Sequence, residues 1–161
     1  MNNAHNPWFA MSLFLIATTV IASTTTVYFY TQYNYAANQY QETLAKLRSS
    51  THTVNIVIKF DNKTEVWYNS TIVPIGWSLF NATEAVTKGN MTYQIFYGSP
   101  FVDSMLGVKS RGFYAWLWWV WNSTKGDWQL GEVGSSQYIL QENDTVIWSL
   151  VDTGTWPPNG P

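Results

Sequence analysis

The chain opens with a long uncharged, apolar stretch and then changes to the alternating pattern of β-strands. No Asp, Glu, Lys or Arg precedes Glu42, and Phe9–Tyr30 consists mostly of apolar side chains. As a helix this run is about 33 Å long, enough to cross a hydrocarbon core of about 30 Å. Aromatic residues at its two ends, such as Trp8 and Tyr28, are typical of membrane–water interfaces. The pattern predicts a transmembrane helix over residues 9–30.

A cleaved signal peptide is the alternative interpretation of this stretch. Val20-Ile-Ala22 would suit a signal peptidase, but no basic residue precedes the apolar run. We therefore favour a retained anchor. Lys46 and Arg48 follow it and by themselves would keep the C-terminal side in the cytoplasm. The glycosylation sequons described below argue more strongly for the opposite orientation, with residues 1–8 as a cytoplasmic tail.

Residues 31–50 continue with a helical period and contain neither Gly nor Pro. Their larger apolar side chains fall on one stripe, formed by Tyr33, Ala37, Tyr40, Leu44 and Leu47. The stripe is too short for an independent coiled coil. We interpret this segment as a helical stalk that extends the anchor and ends at Ser49-Ser50-Thr51.

From His52 onward the hydrophobic period changes from helical spacing to two, which indicates half-buried strands. The pattern predicts one helix, which Gly89 ends, among mostly antiparallel strands. The predicted strands are Val54–Phe60, Glu65–Val73, Met91–Tyr97, Phe101–Val108, Phe113–Trp121, Tyr138–Leu140 and Thr145–Val151, and the helix is Trp77–Lys88. The fold class is therefore α+β, with a domain over residues 51–153 and a Pro/Gly-rich tail over 154–161.

Three segments of this domain resemble the transcobalamin C-terminal-like domain, a family of small β-grasp-like domains on secreted and surface proteins. They are TVNIVIKFDNKTEVWYNSTIVPIGWSLFNATEAV, FVDSMLGVKSRGFYAWLWWVWN and VGSSQYILQENDTVIWSL, and the resemblance covers about residues 52–151. It implies a mostly antiparallel β-grasp-like sheet with one short helix and no catalytic residue. In transcobalamin this domain is half of a cobalamin-binding clamp whose other half is a helical barrel, which this chain lacks. The family's short Asn-Gly turn is replaced here by Asn122–Gly126.

The asparagines of the domain stand almost entirely in Asn-x-Ser/Thr sequons. Ser and Thr make up 31 of 161 residues, so the seven asparagines after residue 60 would give about 1.3 sequons by chance. Six occur, at Asn62, Asn69, Asn81, Asn90, Asn122 and Asn143. Because N-glycans are added on the outer or lumenal side of a membrane, the excess predicts an extracellular, N-glycosylated domain.

The anchor carries Ser and Thr along one side. Ser12, Thr19, Ser23 and Thr26 share a helical face, and Thr18, Ala22 and Thr26 repeat small residues at close-packing spacing. One interpretation is a lone span whose hydroxyls bond back to its own carbonyl groups. The other is a face that packs against further transmembrane subunits.

Little in the chain points to chemistry. Without Cys there is no thiolate nucleophile, disulfide or thiolate metal site. The two histidines, His5 and His52, are far apart in sequence, and Glu142 and Asp144 lie in a predicted turn, where solvated carboxylates are expected. A net charge of −2 argues against nucleic acid. We expect no enzyme activity, no metal and no cofactor.

Aromatic residues are abundant, with 10 Trp, 10 Tyr and 8 Phe. On the predicted strand Phe113–Trp121 they alternate between both faces, Phe113, Trp119 and Trp121 on one and Tyr114, Trp116 and Trp118 on the other. Three interpretations stay open: burial of both faces by the domain's own layers, a partner-facing surface, and a small-molecule pocket. As candidate interaction aromatics we name Tyr114, Trp116, Trp118 and Trp121.

Two hypotheses of function follow. The first is a glycosylated, membrane-anchored accessory subunit whose anchor and aromatic domain contact other subunits of a membrane complex. The second is a surface module that binds a small planar ligand such as a corrinoid. A pilin-like assembly subunit is a weaker third, because the basic-Gly processing site is missing before the apolar run. Many sequons without Cys would suit an archaeal cell surface.

Overall fold

A computed structural model describes residues 7–161, and the chain divides into two compact units between Ser49 and Ser50. The first is a single helix α1 (Pro7–Ser49), which contains both the predicted span and the predicted stalk. It confirms one helix long and apolar enough to cross a membrane, and none of that apolar window is buried. His5 and most of the predicted cytoplasmic tail lie outside the described residues.

The second unit is built on a five-stranded sheet with the order β2-β1-β8-β6-β7. Its strands are β1 (Thr51–Lys59), β2 (Glu65–Pro74), β6 (Tyr114–Asn122), β7 (Asp127–Leu130) and β8 (Thr145–Asp152). The first and last strands, β1 and β8, are parallel neighbours at its centre, whereas every other pair is antiparallel. The two ends of the domain sequence therefore pair with each other inside the sheet, and β2 and β7 form its edges.

One face of this sheet is covered by the helix α2 (Leu79–Val86) and by a three-stranded sheet. That smaller sheet contains β3 (Met91–Phe96), β4 (Ser99–Met105) and β5 (Val108–Lys109). The main core contains alternate side chains of β1, β6 and β8, among them Ile56, Trp116 and Trp148. These features confirm the predicted α+β class with one short helix and mostly antiparallel strands.

Helix α2 is two residues shorter at each end than its sequence pattern predicts. The side chain of Ser78 accepts a hydrogen bond from the Asn81 backbone amide, so the helix begins after Ser78. Beyond its C-terminal end, Gly89 adopts a φ of +74°, the left-handed conformation that stops a helix. The predicted strand Tyr138–Leu140 is wrong, because only Ile139 makes a bridge, to Ser78.

One buried hydrogen bond joins the helix to the sheet. The indole Nε1 of Trp148 donates to Thr83 Oγ1 at 2.8 Å, and the same hydroxyl donates to the Leu79 carbonyl oxygen at 2.7 Å. Thr83 is fully buried. These two hydrogen bonds therefore satisfy the Trp148 N–H and the Thr83 hydroxyl, which have no access to water.

We predict that Thr83→Val destabilises the protein by about 1–3 kcal/mol, because it leaves the buried Trp148 N–H without an acceptor. Thr83→Ser, which keeps the hydroxyl, should cost clearly less. Urea unfolding of both variants in detergent measures the difference. Thr83 is the third residue of the Asn81 sequon, so all proteins should be produced in a host that adds no N-glycans. Equal losses of stability for both variants would contradict this role of the hydroxyl.

Candidate functional site

The outer face of the five-stranded sheet is the most distinctive surface of the domain. Strand register places alternate residues of all five strands on this face, because directly paired residues project to the same side of a sheet. It pairs Val57 with both Trp67 and Ile147, Ile147 with Trp119, Trp119 with Leu130, and Trp121 with Trp128. We call this surface, from Trp67 on β2 to Trp128 on β7, the open face.

The open face has an apolar centre that, within the described residues of the domain, is packed with side chains of the sheet itself. Val57, Trp119 and Ile147 are buried there, and the residues packed against them are Leu117, Trp128, Leu130 and Val151. Trp67 and Trp121 remain 50% and 41% exposed. The uncovered face of an antiparallel sheet is usually polar. Large exposed apolar patches are a common feature of interaction surfaces.

One edge of the open face carries a charged pair beside an exposed indole. Lys59 Nζ lies 3.1 Å from Glu65 Oε1, and the Trp67 indole N–H donates to Glu65 Oε2 at 3.0 Å. The hydrogen bond from Lys59, followed by that from Trp67, lowers the pKa of the Glu65 carboxyl. Glu65 is therefore an anion in neutral solution and holds the Trp67 ring in place.

The structure corrects the predicted set of interaction aromatics. Trp116 and Trp118 are only 2% and 7% exposed, so the expectation that they face a partner is wrong. Both are in the main core, because their side of β6 faces the layer formed by α2 and the smaller sheet. Of the other two candidates, Tyr114 is on the edge of that buried side, and Trp121 is on the open face.

A small cavity lies beside β6, on the side where β7 ends. Its volume is about 160 Å³, and its apolar lining includes Val102, Trp116, Trp118, Leu130, Val133 and Trp156. Trp118 Nε1 donates to the Val133 carbonyl oxygen at 3.2 Å. A Cβ on Gly131 would overlap the Trp118 indole, so only glycine allows this close approach.

On α1, the hydroxyl-bearing face has its hydrogen bonds satisfied within the helix. Ser12 bonds to the Trp8 carbonyl oxygen, and Thr19, Ser23 and Thr26 also bond to the carbonyl oxygen four residues earlier. The small side chains leave a shallow groove, lined by Thr18, Thr19, Ala22, Ser23, Thr26 and Val27. Any preference of this face for another helix therefore rests on close packing rather than on unsatisfied hydroxyls.

Five of the six sequon asparagines are exposed, and Asn122 is half-buried. Three have conformational roles in turns. Asn62 Oδ1 accepts from the Thr64 amide, Asn122 Oδ1 accepts from the amides of residues 124 and 125, and Asn143 adopts a φ of +65°. Asn122 Nδ2 also donates to Gln129 Oε1 at 3.0 Å. Asn69 on β2, Asn81 on α2 and Asn90 after it complete the set.

The groups named as possible chemistry serve the structure of turns. His52 Nδ1 is 3.4 Å from Glu142 Oε2, which also accepts from the Thr53 amide at 2.8 Å. Asp144 accepts from the Gln141 amide and from the Tyr138 hydroxyl. Burial, reinforced by the Asp144 charge, raises the pKa of Tyr138. Within residues 7–161, no group of three His, Asp or Glu side chains could hold a metal ion.

Comparison with solved structures shows what this fold is similar to. Part of haptocorrin, solved in complex with Cbi, aligns with a TM-score of 0.51 and 17% identity over 63% of this chain. The match spans only 25% of haptocorrin. A protein from Ruminococcus gnavus ATCC 29149, described as metal-binding, aligns with a TM-score of 0.51, 10% identity, and coverage of 63% of this chain and 97% of its own.

No family model and no curated protein matches the chain. At 17% and 10% identity, the likeness to the two solved structures establishes the fold alone. The haptocorrin match supports the coarse part of the sequence resemblance, a shared domain fold. The long apolar helix is a separate feature of this chain. Binding of Cbi is a property of haptocorrin, and metal binding is the description of the Ruminococcus gnavus protein; neither is carried over to this chain by the shared fold.

Proposed function

We propose that this chain is a non-catalytic, membrane-anchored accessory subunit whose extracellular domain binds a protein partner through the open face. The observation that carries the proposal is the aromatic surface from Trp67 to Trp121, which the five-stranded sheet leaves without a covering layer. Burying two half-exposed indoles together with their apolar neighbours is the kind of contact that dominates binding energy at protein interfaces.

The rim of the open face adds specificity to the proposed contact. Lys59 and Glu65 are adjacent charges next to Trp67, so a partner must present polar groups at that edge and apolar side chains toward Trp121. Charged groups at the rim of an interface favour correct partners and correct orientation more than they raise affinity. An aromatic centre with a charged rim matches the usual anatomy of protein interfaces.

The anchor contributes a second contact in this proposal. The groove along Thr19, Ala22, Ser23 and Thr26 offers small side chains to an approaching transmembrane helix. Each interhelical hydrogen bond in a membrane is worth only about 0.6 kcal/mol on average. Several packing contacts along the groove, combined with the domain contact, therefore have to act together.

Orientation and glycosylation are part of the same proposal. The six sequons favour an outer position for the domain, and exposure of Asn62, Asn69, Asn81, Asn90 and Asn143 makes these side chains accessible for modification. In this orientation the N-terminal residues are cytoplasmic. The proposed partners are other membrane subunits, not nucleic acid.

A second candidate function, binding of a small planar ligand, is favoured by the cavity beside β6 and by the likeness to haptocorrin. Its size argues against a large ligand. The volume of about 160 Å³ lies below the 300–1,000 Å³ of common ligand pockets, and is near that of a cavity that holds benzene. A neighbouring pocket of about 300 Å³, which shares Trp118 and Gly131 with the cavity, only reaches the lower limit of that range. A corrinoid would have to lie outside the cavity, so we rank this candidate second.

We predict that the double variant Trp67→Ser/Trp121→Ser loses the partner proteins that co-purify with the full-length chain in mild detergent. Truncating central aromatic residues typically costs about 2 kcal/mol or more each at an interface, so a reduction of tenfold or more is expected. Quantitative mass spectrometry of the purified complex measures it.

The matched control is Tyr97→Asp, which removes a fully exposed aromatic side chain from the β3–β4 turn without creating a sequon before Gly98-Ser99. Tyr97 has a φ of +48°, which Asp tolerates well. The control should retain its partners. Retention of partners by the double Trp variant, at unchanged thermal stability, would exclude the open face as the contact.

We also predict that Thr19→Leu/Ser23→Leu inserts normally but loses association in detergent, because the larger side chains fill the groove and prevent close helix packing. Ala10→Leu/Ala17→Leu, on the opposite side of α1 and within the same span, also raises hydrophobicity and should associate as the wild type does. Blue-native electrophoresis compares the two. Equal association of both double variants would remove the anchor contact from the proposal.

For the cavity, we predict that Gly131→Ala destabilises the domain by about 1–3 kcal/mol, because the added methyl group displaces the Trp118 indole. Gly134→Ala, whose Cβ would lie 3.8 Å from the nearest atom, Ser99 Cβ, is the control. Below its melting temperature the Gly131→Ala variant should still retain its protein partners. Loss of partners from the folded variant would instead favour the cavity as the binding site.

A further inference from the structure

Strand β2 forms one edge of the five-stranded sheet and is the longer of the two edge strands. It runs for ten residues, Glu65–Pro74, and its ladder is formed with β1. Most of its residues are exposed, including Ile72 at 63%. Such an edge presents unpaired backbone N–H and C=O groups, which can pair with the same edge of another molecule.

Proteins usually protect a long edge with charges, proline, a bulge or a covering segment. In β2 the charged residue is Glu65 at the start, and the proline is Pro74 at the end. Between them the sequence VWYNSTIV is uncharged and rich in residues with high β propensity. The charge and the proline are therefore at the two ends of the strand, and the middle has neither.

The middle of β2 contains a bulge. Val54 pairs with Thr71 and Ile56 with Tyr68, so Asn69 and Ser70 together stand opposite Asn55. Ser70 has a φ of +50°, and its amide donates to Asn55 Oδ1 at 2.9 Å. The bulge is also where the sequon Asn69-Ser70-Thr71 lies, with Asn69 exposed. Asn69 stands opposite Asn55, on the same side of the sheet as Trp67, so a glycan there lies at the β2 rim of the open face and the proposed partner contact lies inward of it, toward Trp121.

We propose that Asn69 carries an N-glycan that shields the β2 edge from pairing with another strand. The proposal rests on the outer location in the proposed function. A glycan is bulky and strongly hydrated. Attached in the middle of a ten-residue edge, it prevents a second chain from aligning along the strand on either side of the bulge.

Asn90 provides the natural comparison. It is exposed and in a sequon, but it stands between α2 and β3 rather than within β2. A glycan there adds the same mass and solubility without covering the β2 edge. Differences between the two sites therefore report on edge protection and not on glycosylation in general.

The first part of the test is glycopeptide mass spectrometry on the full-length chain purified from its native membrane. We expect the peptide that contains Asn69 to carry a glycan. An unmodified Asn69 with glycan at Asn90 overturns this inference alone. Absence of glycan from all six sequons overturns both this inference and the outer location in the proposed function.

The second part compares Asn69→Gln with Asn90→Gln, produced in the native host and analysed by light scattering in mild detergent. The Asn69 variant should show a several-fold larger fraction of self-associated species, and the Asn90 variant should match the wild type. Adding Ile72→Lys to Asn69→Gln should restore the wild-type level, because a lysine on an edge strand opposes pairing.

A substitution pair at Thr71 separates the glycan from Asn69 itself. Thr71 Oγ1 donates to the Tyr68 carbonyl oxygen at 3.0 Å, so Thr71→Ser keeps both this bond and the sequon. Thr71→Ala removes both and should self-associate as Asn69→Gln does, whereas Thr71→Ser should not. If glycan loss at Asn69 leaves the chain no more associated than glycan loss at Asn90, edge protection is excluded.

Discussion

The parallel pairing of β1 with β8 is the constraint on which the rest of the domain depends. Residues Asn55–Lys59 lie beside Thr145–Ser149, so the two ends of the domain sequence form the centre of one sheet. Central strands bury both of their faces. Ile56 and Ile58 accordingly belong to the main core, whereas Val57 and Ile147 form the centre of the open face.

This arrangement explains why a second layer of the described domain packs on one face of the five-stranded sheet but not on the open face. The connection from β2 to β6 supplies α2 and the three-stranded sheet, and both lie on the same side. The opposite side is left with its own aromatic residues, Trp67, Trp119, Trp121 and Trp128. Val57 and Ile147 are buried there, whereas Trp67 and Trp121 stay half-exposed. A small domain has few residues for a third layer. The open face is therefore a product of topology, and a partner would complete it.

Much of the fold was predictable because periodicity reports local geometry. The uncharged run identified α1, the alternation identified β1, and the apolar run after the predicted turn at Glu142 and Asp144 identified β8. Face assignment on β6 failed for a physical reason: aromatic residues occupy both parities of Tyr114–Asn122, so alternation does not say which side is the core. Pairing with β8 decides it, since Trp116 and Trp118 stand opposite Leu150 and Trp148. Such pairings are long-range and leave no local pattern.

The sequence predicted an aromatic surface on the domain, but it did not predict most of the residues that form it. Trp121 was identified from sequence, whereas Trp67 and Trp128 were missed. Trp67 is next to Tyr68, which packs against the main core, and Trp128 is on β7, a four-residue strand that the sequence pattern did not predict. The signal that could have found Trp67 is its position two residues after Glu65, which puts it on the same side of the strand as a charged residue. Tyr138–Leu140 was assigned to a strand because it is apolar. In the structure the segment packs into the core, with Tyr138 against Trp118, and makes no strand ladder.

The central claim is that the open face is covered by protein in the native assembly. Hydroxyl-radical footprinting compares the oxidation of Trp67 and Trp121 in the intact complex with that in the purified single chain. The account predicts strong protection of both indoles in the complex, while the exposed ring of Tyr97 is oxidised equally in the two samples. Equal oxidation of Trp67 and Trp121 in complex and single chain would contradict it.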